Sequence, residues 1–140
     1  MKVKGLNGRT YNLDLKKHLV AKDDERKRSA PHLKARELIH EFFSGYSIFE
    51  EVKLPGSRDP SKKSVLFLDF FISNVMIAVE VHGSQHYCYN PYFHKNVAGF
   101  YQSIRRDKIK KEWCDINNIE LIVLDTRDHI SVWRDQLECF

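Results

Sequence analysis

Two acidic residues interrupt apolar stretches in the middle of this 140-residue sequence. Asp69 lies within the apolar run at 65–72, and Glu80 lies within a second apolar run at 76–81. Such runs predict strands that are buried on both faces. A buried carboxylate is costly unless it is paired or binds a metal, so two acids on adjacent strands indicate a hard-cation site in a sheet-based enzyme.

A polar cluster follows the second run directly and contains His82, Gly83, Gln85 and His86. Acids and histidines that cluster in this way are typical of an active site. The alternative is that each acid lies at the end of its strand, where it is solvated or salt-bridged. The histidines favour the first interpretation for the group as a whole.

A helix is predicted to begin after Ser29, which is a good N-cap, with Pro31 in its first turn and Gly45 beyond its end. Its apolar face consists of Ala35, Leu38, Ile39, Phe42 and Phe43. His32 falls on this face and Glu37 falls on the opposite one. His32 is therefore better placed than Glu37 to reach a buried site, although a capping or surface role for His32 is the alternative.

The remaining elements follow from turn signals and periodicity. They are a hairpin at 2–15, strands at 46–54 and 119–124, and helices at 100–117 and 131–137. Ile109, Trp113 and Ile116 form the predicted core face of the longer helix. This order predicts an α/β fold, with a sheet of mixed strand direction between helices.

Composition narrows the class of protein. The chain is 42% hydrophobic, which predicts a packed core, yet it has no apolar run long enough to span a membrane and no N-terminal apolar block typical of a signal peptide. Its 3 cysteines are an odd number without a CxxC motif, which favours free thiols. We therefore expect a cytoplasmic protein without a membrane partner.

The net charge of +4 is modest, but the basic residues are clustered. They fall in an N-terminal arm and in the longer helix: Lys16, Lys17, Arg26, Lys27, Arg28, Arg105, Arg106 and Lys108. The arm is either a solvated segment or a contact to a polyanion backbone. The aromatic loop at 87–98 either stacks on bases or packs against its own domain. Nucleic acid is the partner that these features favour.

The pattern formed by Asp69, Glu80, Val81 and His82 resembles the PD-(D/E)xK nuclease superfamily, with His82 in the place of the usual lysine. A narrower resemblance is to very-short-patch mismatch repair endonucleases and phage-type homing endonucleases, which carry the variant motif EDxHD. It rests on Asp69-Phe70-Phe71, His82-Gly83, Gln85-His86 and Arg106-Asp107.

The resemblance covers residues 29–128 and implies a restriction-endonuclease-like mixed β-sheet flanked by helices. Residues 1–28 would then form a basic N-terminal hairpin and arm, and residues 29–140 the catalytic domain. The activity implied is hydrolysis of double-stranded DNA by a Mg²⁺-dependent endonuclease, with Mn²⁺ as a substitute, in the cytoplasm of a bacterial or phage-infected cell. No structural zinc is expected, because Ser84 stands where a first cysteine ligand would be.

The resemblance also implies roles for individual residues. Asp69 would bind the metal, with either Glu80 or the Val81 carbonyl as the second ligand. His86 would activate the attacking water and Asp107 would orient His86.

Further roles are implied around these groups. His82 and His32 would contact water or phosphate, Gln85 would orient the substrate, and Arg105, Arg106 and Lys108 would bind backbone phosphates. His32 aligns with a glutamate of the family pattern, and this departure, with the missing lysine, leaves an alternative. The alternative is an inactive nucleic-acid-binding module on a nuclease fold.

Overall fold

A four-stranded mixed sheet with helices on both faces forms the centre of the molecule. The structure is a computed structural model and describes residues 1–20, 24, 26–59, 64–83 and 97–139. The strands are β1 (Lys2–Lys4), β2 (Thr10–Asn12), β3 (Phe49–Leu54), β4 (Leu66–Ile72), β5 (Ile77–His82) and β6 (Glu120–Asp125). The helices are α1 (Ala30–Phe42), α2 (Val97–Ile116) and α3 (Ile130–Glu138).

The main sheet has the strand order β3-β4-β5-β6. Strands β3, β4 and β5 form an antiparallel meander, whereas β5 and β6 are parallel and α2 lies between them in the chain. A parallel pair needs such a crossover, and a helix usually supplies it. The predicted α/β class with a sheet of mixed direction is confirmed.

Helix α1 begins and ends where its sequence predicts. The Ser29 side chain accepts a hydrogen bond from the backbone N–H of His32 at 3.3 Å, which caps the first turn. Gly45 has a φ of 90°, a conformation that glycine adopts without strain, just beyond the end of the helix. Ala35, Leu38 and other residues of the predicted apolar face are buried.

Two apolar layers lie on opposite faces of the sheet. One contains α1 and α3 packed against residues such as Phe70 and Val79. The other contains α2 and the N-terminal hairpin packed against the opposite face. Trp113 anchors α2 in this second layer, and its indole N–H donates to the Pro55 carbonyl at 2.9 Å. The prediction that Ile116 faces the core is wrong, because its side chain lies at an open groove beside the hairpin and is 43% exposed.

The hairpin of β1 and β2 shares the second apolar layer, through Val3 and Leu13. The backbone N–H of Leu6 donates to the Gly56 carbonyl at 3.0 Å. A Cβ added to Gly5 would lie 2.6 Å from the Gly56 Cα, so this contact requires glycine. The division of the chain at residue 28 stays a prediction. Within the described residues, no helix is long and apolar enough to cross a membrane.

Candidate active site

The two acids that interrupt the apolar runs meet where β4 and β5 separate. The ladder between these strands runs from Ile72 opposite Ile77 to Phe70 opposite Val79. Beyond Phe70 and Val79, the hydrogen bonds between the two strands are made by side-chain carboxylates and backbone N–H groups. The Glu80 carboxylate accepts a hydrogen bond from the Asp69 N–H at 3.0 Å, and the Asp69 carboxylate accepts one from the Val81 N–H at 2.8 Å. Asp69, Glu80 and Val81, the three predicted metal-site residues, therefore lie together.

Helix α2 adds a cation to this pair. Lys110 Nζ lies 2.6 Å from Glu80 Oε1, and the Glu80 side chain is almost fully buried. Burial lowers the pKa of Lys110, but the charge of Glu80 and a hydrogen bond with it outweigh burial, so the pKa lies above its usual value. Lys110 is therefore held as a charged ammonium group at the junction of α2 and β5.

The Asp69 carboxyl is strongly perturbed. Burial, then the charge of Glu80 and a hydrogen bond with Glu80, raise its pKa to about 7, although the Val81 N–H and Lys110 act in the opposite direction. Two carboxylates that repel each other in this way are stabilised by a cation placed between them. The position of Asp69 is thus favourable for a divalent metal.

A cleft of about 450 Å³ opens beside Asp69. Its lining residues are Glu51, Asp59, Ser64, Val65, Leu66, Phe67, Asp69 and Lys110. Two of its acidic residues have basic partners, since Glu51 lies 3.5 Å from Arg28 and Asp59 lies 3.7 Å from Arg106. The cleft is therefore a charged surface in which most of the carboxylates are paired.

An irregularity in two neighbouring strands shapes the cleft. Phe49 and Val52, three residues apart on β3, contact the same apolar layer, and so do Leu68 and Phe71 on β4. In a regular strand only residues an even number apart share a face. The alternation of side chains between the two faces of the sheet is therefore interrupted once in each strand, at Glu51 in β3 and at Asp69 in β4. Glu51 has a φ of 50° at this point. Slips of this kind bend a sheet and redirect side chains.

The donor atoms at this place fit a magnesium ion. Mg²⁺ takes one or two carboxylates from a protein and completes its shell with water and phosphate oxygens. Asp69 provides a carboxylate at the wall of the cleft, and the buried Glu80 provides a second one directly behind it. Across the described ranges, no group of three His, Cys, Asp or Glu side chains is arranged to hold a metal. Among the described residues, Asp69 and Glu80 are the carboxylates that would hold a metal at this place.

His82 and Asp107 lie next to this pair. His82 Nε2 is 3.8 Å from Asp107 Oδ1 on α2, and the His82 carbonyl accepts a hydrogen bond from the Thr126 N–H at 3.0 Å. His86 and Gln85 lie outside the described residues, so the predicted contact between His86 and Asp107 stays a prediction. Among the described residues, the histidine beside Asp107 is His82, the other histidine of the motif.

His32 points into the protein, as the apolar face of α1 predicts, and the alternative of a surface histidine is wrong. Its Nε2 lies 2.6 Å from Glu50 Oε1, and its ring stacks on Phe70 with 4.5 Å between the ring centroids. Arg36 donates to both oxygens of Glu50, at 2.7 and 3.0 Å. Burial raises the pKa of Glu50, but the hydrogen bonds with His32 and Arg36 lower it by a larger amount. The pKa of Glu50 is therefore below its usual value. Glu37 is exposed, as predicted.

The predicted nucleic-acid contacts divide into two groups. Arg26, Arg28 and Arg106 each have an acidic neighbour, and the Arg26 Nε lies 2.9 Å from Asp24. The other described basic residues of the prediction are exposed: Lys16, Lys17, Lys27, Arg105 and Lys108. The exposed group is better placed to contact a polyanion.

Sequence reasoning missed two charged residues that the structure places in these clusters. Lys110 precedes Trp113 by three positions and Cys114 by four, which puts it on the buried face of α2. Glu50 lies two positions after the buried Ile48, which puts it on the face of β3 that α1 covers. In both cases the available signal was a charged residue at a spacing that places it on the same face as buried apolar residues.

Comparison with known proteins finds short viral matches. The chain is 39% identical over 57 residues to "Uncharacterized protein 307L" of Invertebrate iridescent virus 6, which is 41% of this chain and 29% of that protein. It is 34% identical over 65 residues to "Uncharacterized protein 033L" of Invertebrate iridescent virus 3, which is 46% of this chain and 34% of that protein. The matches thus span about a third of each relative, and the viral origin of both is consistent with a virus-infected host cell. No family model and no solved structure matches the chain.

Proposed function

We propose that this protein is a Mg²⁺-dependent DNA endonuclease with a restriction-endonuclease-like fold. The element order supports the fold, because a helix, a three-stranded antiparallel meander, a crossover helix and a parallel strand follow one another. The observation that carries the proposal is the meeting of Asp69, Glu80 and Lys110 where β4 and β5 separate. Two carboxylates and a lysine beside an open cleft suit phosphodiester hydrolysis.

Asp69 and Glu80 are the residues that would hold the metal. A bound Mg²⁺ would supply Lewis-acid chemistry, polarising the phosphate and making bound water more acidic. Lys110 would place an ammonium group at the wall of the cleft, where it stabilises charge that develops on the phosphate oxygens. Whether the second ligand is Glu80 or the Val81 carbonyl is a question for substitution of Glu80.

The remaining groups would bind DNA and move protons. Asp107 would orient a histidine, either His82 beside it or His86, and that histidine would accept the proton of the attacking water. Exposed lysines of the N-terminal arm and of α2 would bind backbone phosphates. The proposal covers both a homing-endonuclease-like and a mismatch-repair-nickase-like activity.

One observation favours the alternative, an inactive nucleic-acid-binding module on the same fold. The ammonium group of Lys110 already balances the buried charge of Glu80 at 2.6 Å. A chain that has lost its metal would need such an internal cation to keep Glu80 buried. On this alternative, Lys110 replaces the metal rather than assisting it.

Cleavage of plasmid and synthetic duplex DNA, with Mg²⁺ and with EDTA, separates the two proposals. Intact and mismatched duplexes should both be tested, and nicked and linear products should be measured separately. We expect Mg²⁺-dependent cleavage by the parent, and loss of cleavage but not of DNA binding in Asp69→Asn. Asp135→Asn, which changes an exposed carboxylate on α3, is the matched control and should cleave like the parent. DNA binding without cleavage by the folded parent would favour the inactive module.

A further inference from the structure

We propose that Phe67 is a stacking platform for a nucleobase of the bound strand, an inference that rests on the proposed action of the cleft on DNA. Phe67 is 44% exposed, while its neighbours Leu66 and Leu68 are 3% and 1% exposed. The aromatic ring therefore lies on the open side of the first half of β4, opposite the side that buries Leu66 and Leu68. It also lines the same cleft as Asp69 and Lys110.

The position of Phe67 relative to Asp69 suits a nucleotide. The two residues are two positions apart on β4, which corresponds to about 7 Å along a strand. Both side chains line one cleft. A phosphate bound by Lys110 beside Asp69 would therefore have a base of the same or the next nucleotide within reach of the Phe67 ring.

The open face around Phe67 carries positive charge. Lys53 lies directly opposite Phe67 in the β3–β4 ladder, and its side chain is exposed. The short turn at Lys16–His18 packs against β3, the strand that carries Lys53. A solvent-exposed aromatic ring beside a basic residue is typical of a surface that binds single-stranded nucleic acid.

The acids of the cleft do not oppose this assignment. Glu51 and Asp59 have arginine neighbours, and Glu80 has Lys110. A strand that enters the cleft therefore meets carboxylates that are largely balanced by nearby cations. Phe67 then contributes the apolar contact, which is independent of sequence because every base has a π-face.

Stacking on Phe67 implies a substrate preference. A base can lie on Phe67 only after it has left its own stack, so the cleft takes a strand that is locally unpaired or easily unstacked. The recognition is for an exposed base rather than for a particular base. The chemical class of the ligand is therefore a single-stranded or locally opened DNA segment.

Binding of two fluorescent probes in EDTA tests this assignment without metal or cleavage. One probe is a 20-nucleotide oligothymidylate, and the other is the same backbone with abasic spacers at every position. Phe67→Ala should weaken binding of oligothymidylate by roughly 5- to 150-fold, the range for loss of one stacked base. It should leave binding of the abasic probe unchanged, and Phe67→Trp should retain the preference for oligothymidylate.

Tyr101→Ala is the matched control, because Tyr101 is 57% exposed on α2 and is absent from the lining of the cleft. This control should bind both probes like the parent. Equal losses on both probes in Phe67→Ala, or no loss on either, would overturn the stacking assignment and leave the proposed nuclease function standing. A folded parent that binds neither these probes nor duplex DNA would overturn both proposals.

Discussion

Asp69 and Glu80 are joined across two strands by an exchange of side-chain and backbone bonds. The Glu80 carboxylate accepts from the Asp69 N–H at 3.0 Å, and the Asp69 carboxylate accepts from the N–H of the residue after Glu80 at 2.8 Å. These bonds occupy backbone donors that lie beyond the end of the β4–β5 ladder. Both carboxylates therefore hold the separated strands, and Asp69 also lines the wall of the cleft.

Asp69 should make the stability of the fold depend on pH in an unusual direction. Its pKa is about 7 in the folded chain, against 3.8 for an ordinary aspartate, so the folded chain holds the proton more tightly. The resulting stability is full below pH 3.8 and is lost as the pH rises through about 7. Urea unfolding should show that the free energy of unfolding of the parent, relative to Asp69→Asn, falls by up to about 1.4 kcal/mol per pH unit in that window.

Titrating groups that do not interact with Asp69 are common to both proteins and cancel in this difference. Mg²⁺ should oppose the loss at pH 7 to 8 in the parent, because it stabilises the ionised pair, and should have no such effect in Asp69→Asn. A difference that stays constant from pH 4 to 8 would show that Asp69 titrates normally.

Lys110 should contribute to stability through the charge that it balances. Lys110→Met leaves the buried Glu80 carboxylate without its cation, and breaking a buried ion pair from one side costs about 3–5 kcal/mol. Urea unfolding at pH 8 would measure this loss. The double variant Lys110→Met with Glu80→Gln should recover part of it, because no uncompensated charge remains.

Lys108→Met is the control for Lys110, since Lys108 is exposed on the same helix and its loss should change stability by less than about 0.5 kcal/mol. If Glu80 binds Mg²⁺, the ion should raise the melting temperature of Lys110→Met more than that of the parent. Equal stability of the Lys110 and Lys108 variants would show that the ion pair does not stabilise the fold.

The cluster of His32, Glu50 and Arg36 should be the most sensitive polar contact on the α1 face. Arg36 is 2% exposed and makes two hydrogen bonds to Glu50, which is also 2% exposed. Arg36→Met should therefore destabilise the fold by about 3–5 kcal/mol. Lys34→Met, on the exposed side of the same helix, should be close to neutral in the same urea measurement. A loss in Arg36→Met no larger than in Lys34→Met would contradict a structural role for the cluster.

Hydrophobic periodicity predicted most of the fold because each element buries one side against a neighbour. The cap at Ser29, the apolar face of α1 and the paired strands of Asp69 and Glu80 all follow from local patterns. The predicted burial of Ile116 was wrong, because periodicity does not show how far along a helix the surface that packs against it extends.

The partners of the buried charges could not be predicted in the same way. Lys110 is thirty positions from Glu80 in the chain, and Arg36 is fourteen from Glu50. Such pairs are set by the packing of a helix on a sheet, which a local pattern does not encode. The slip in alternation at Asp69 is likewise hidden, because its neighbours Leu68, Phe70 and Phe71 are apolar and fit either register.

Asp107 provides the sharpest test of how the proposed active site moves protons. The structure places Asp107 3.8 Å from His82, whereas the resemblance to the EDxHD nucleases assigns it to His86. Groups that act as a unit are non-additive, so a variant that lacks both should be little slower than a variant that lacks one. Single-turnover cleavage rates of His82→Ala, His86→Ala, Asp107→Asn and the two double variants would show which histidine is coupled to Asp107.

We expect coupling between Asp107 and His82, because Asp107 lies beside this ring. Each single substitution should lower the rate by about 10²- to 10⁴-fold, the usual range for general acid–base catalysis, and the double variant should fall within about threefold of the slower single variant. The rate of the parent should also decrease in acid through an apparent pKa near that of histidine, and this decrease should disappear in His82→Ala. Additive effects of His82 and Asp107, together with non-additive effects of His86 and Asp107, would assign the water-activating role to His86 and leave His82 as a neighbour that only contacts the carboxylate.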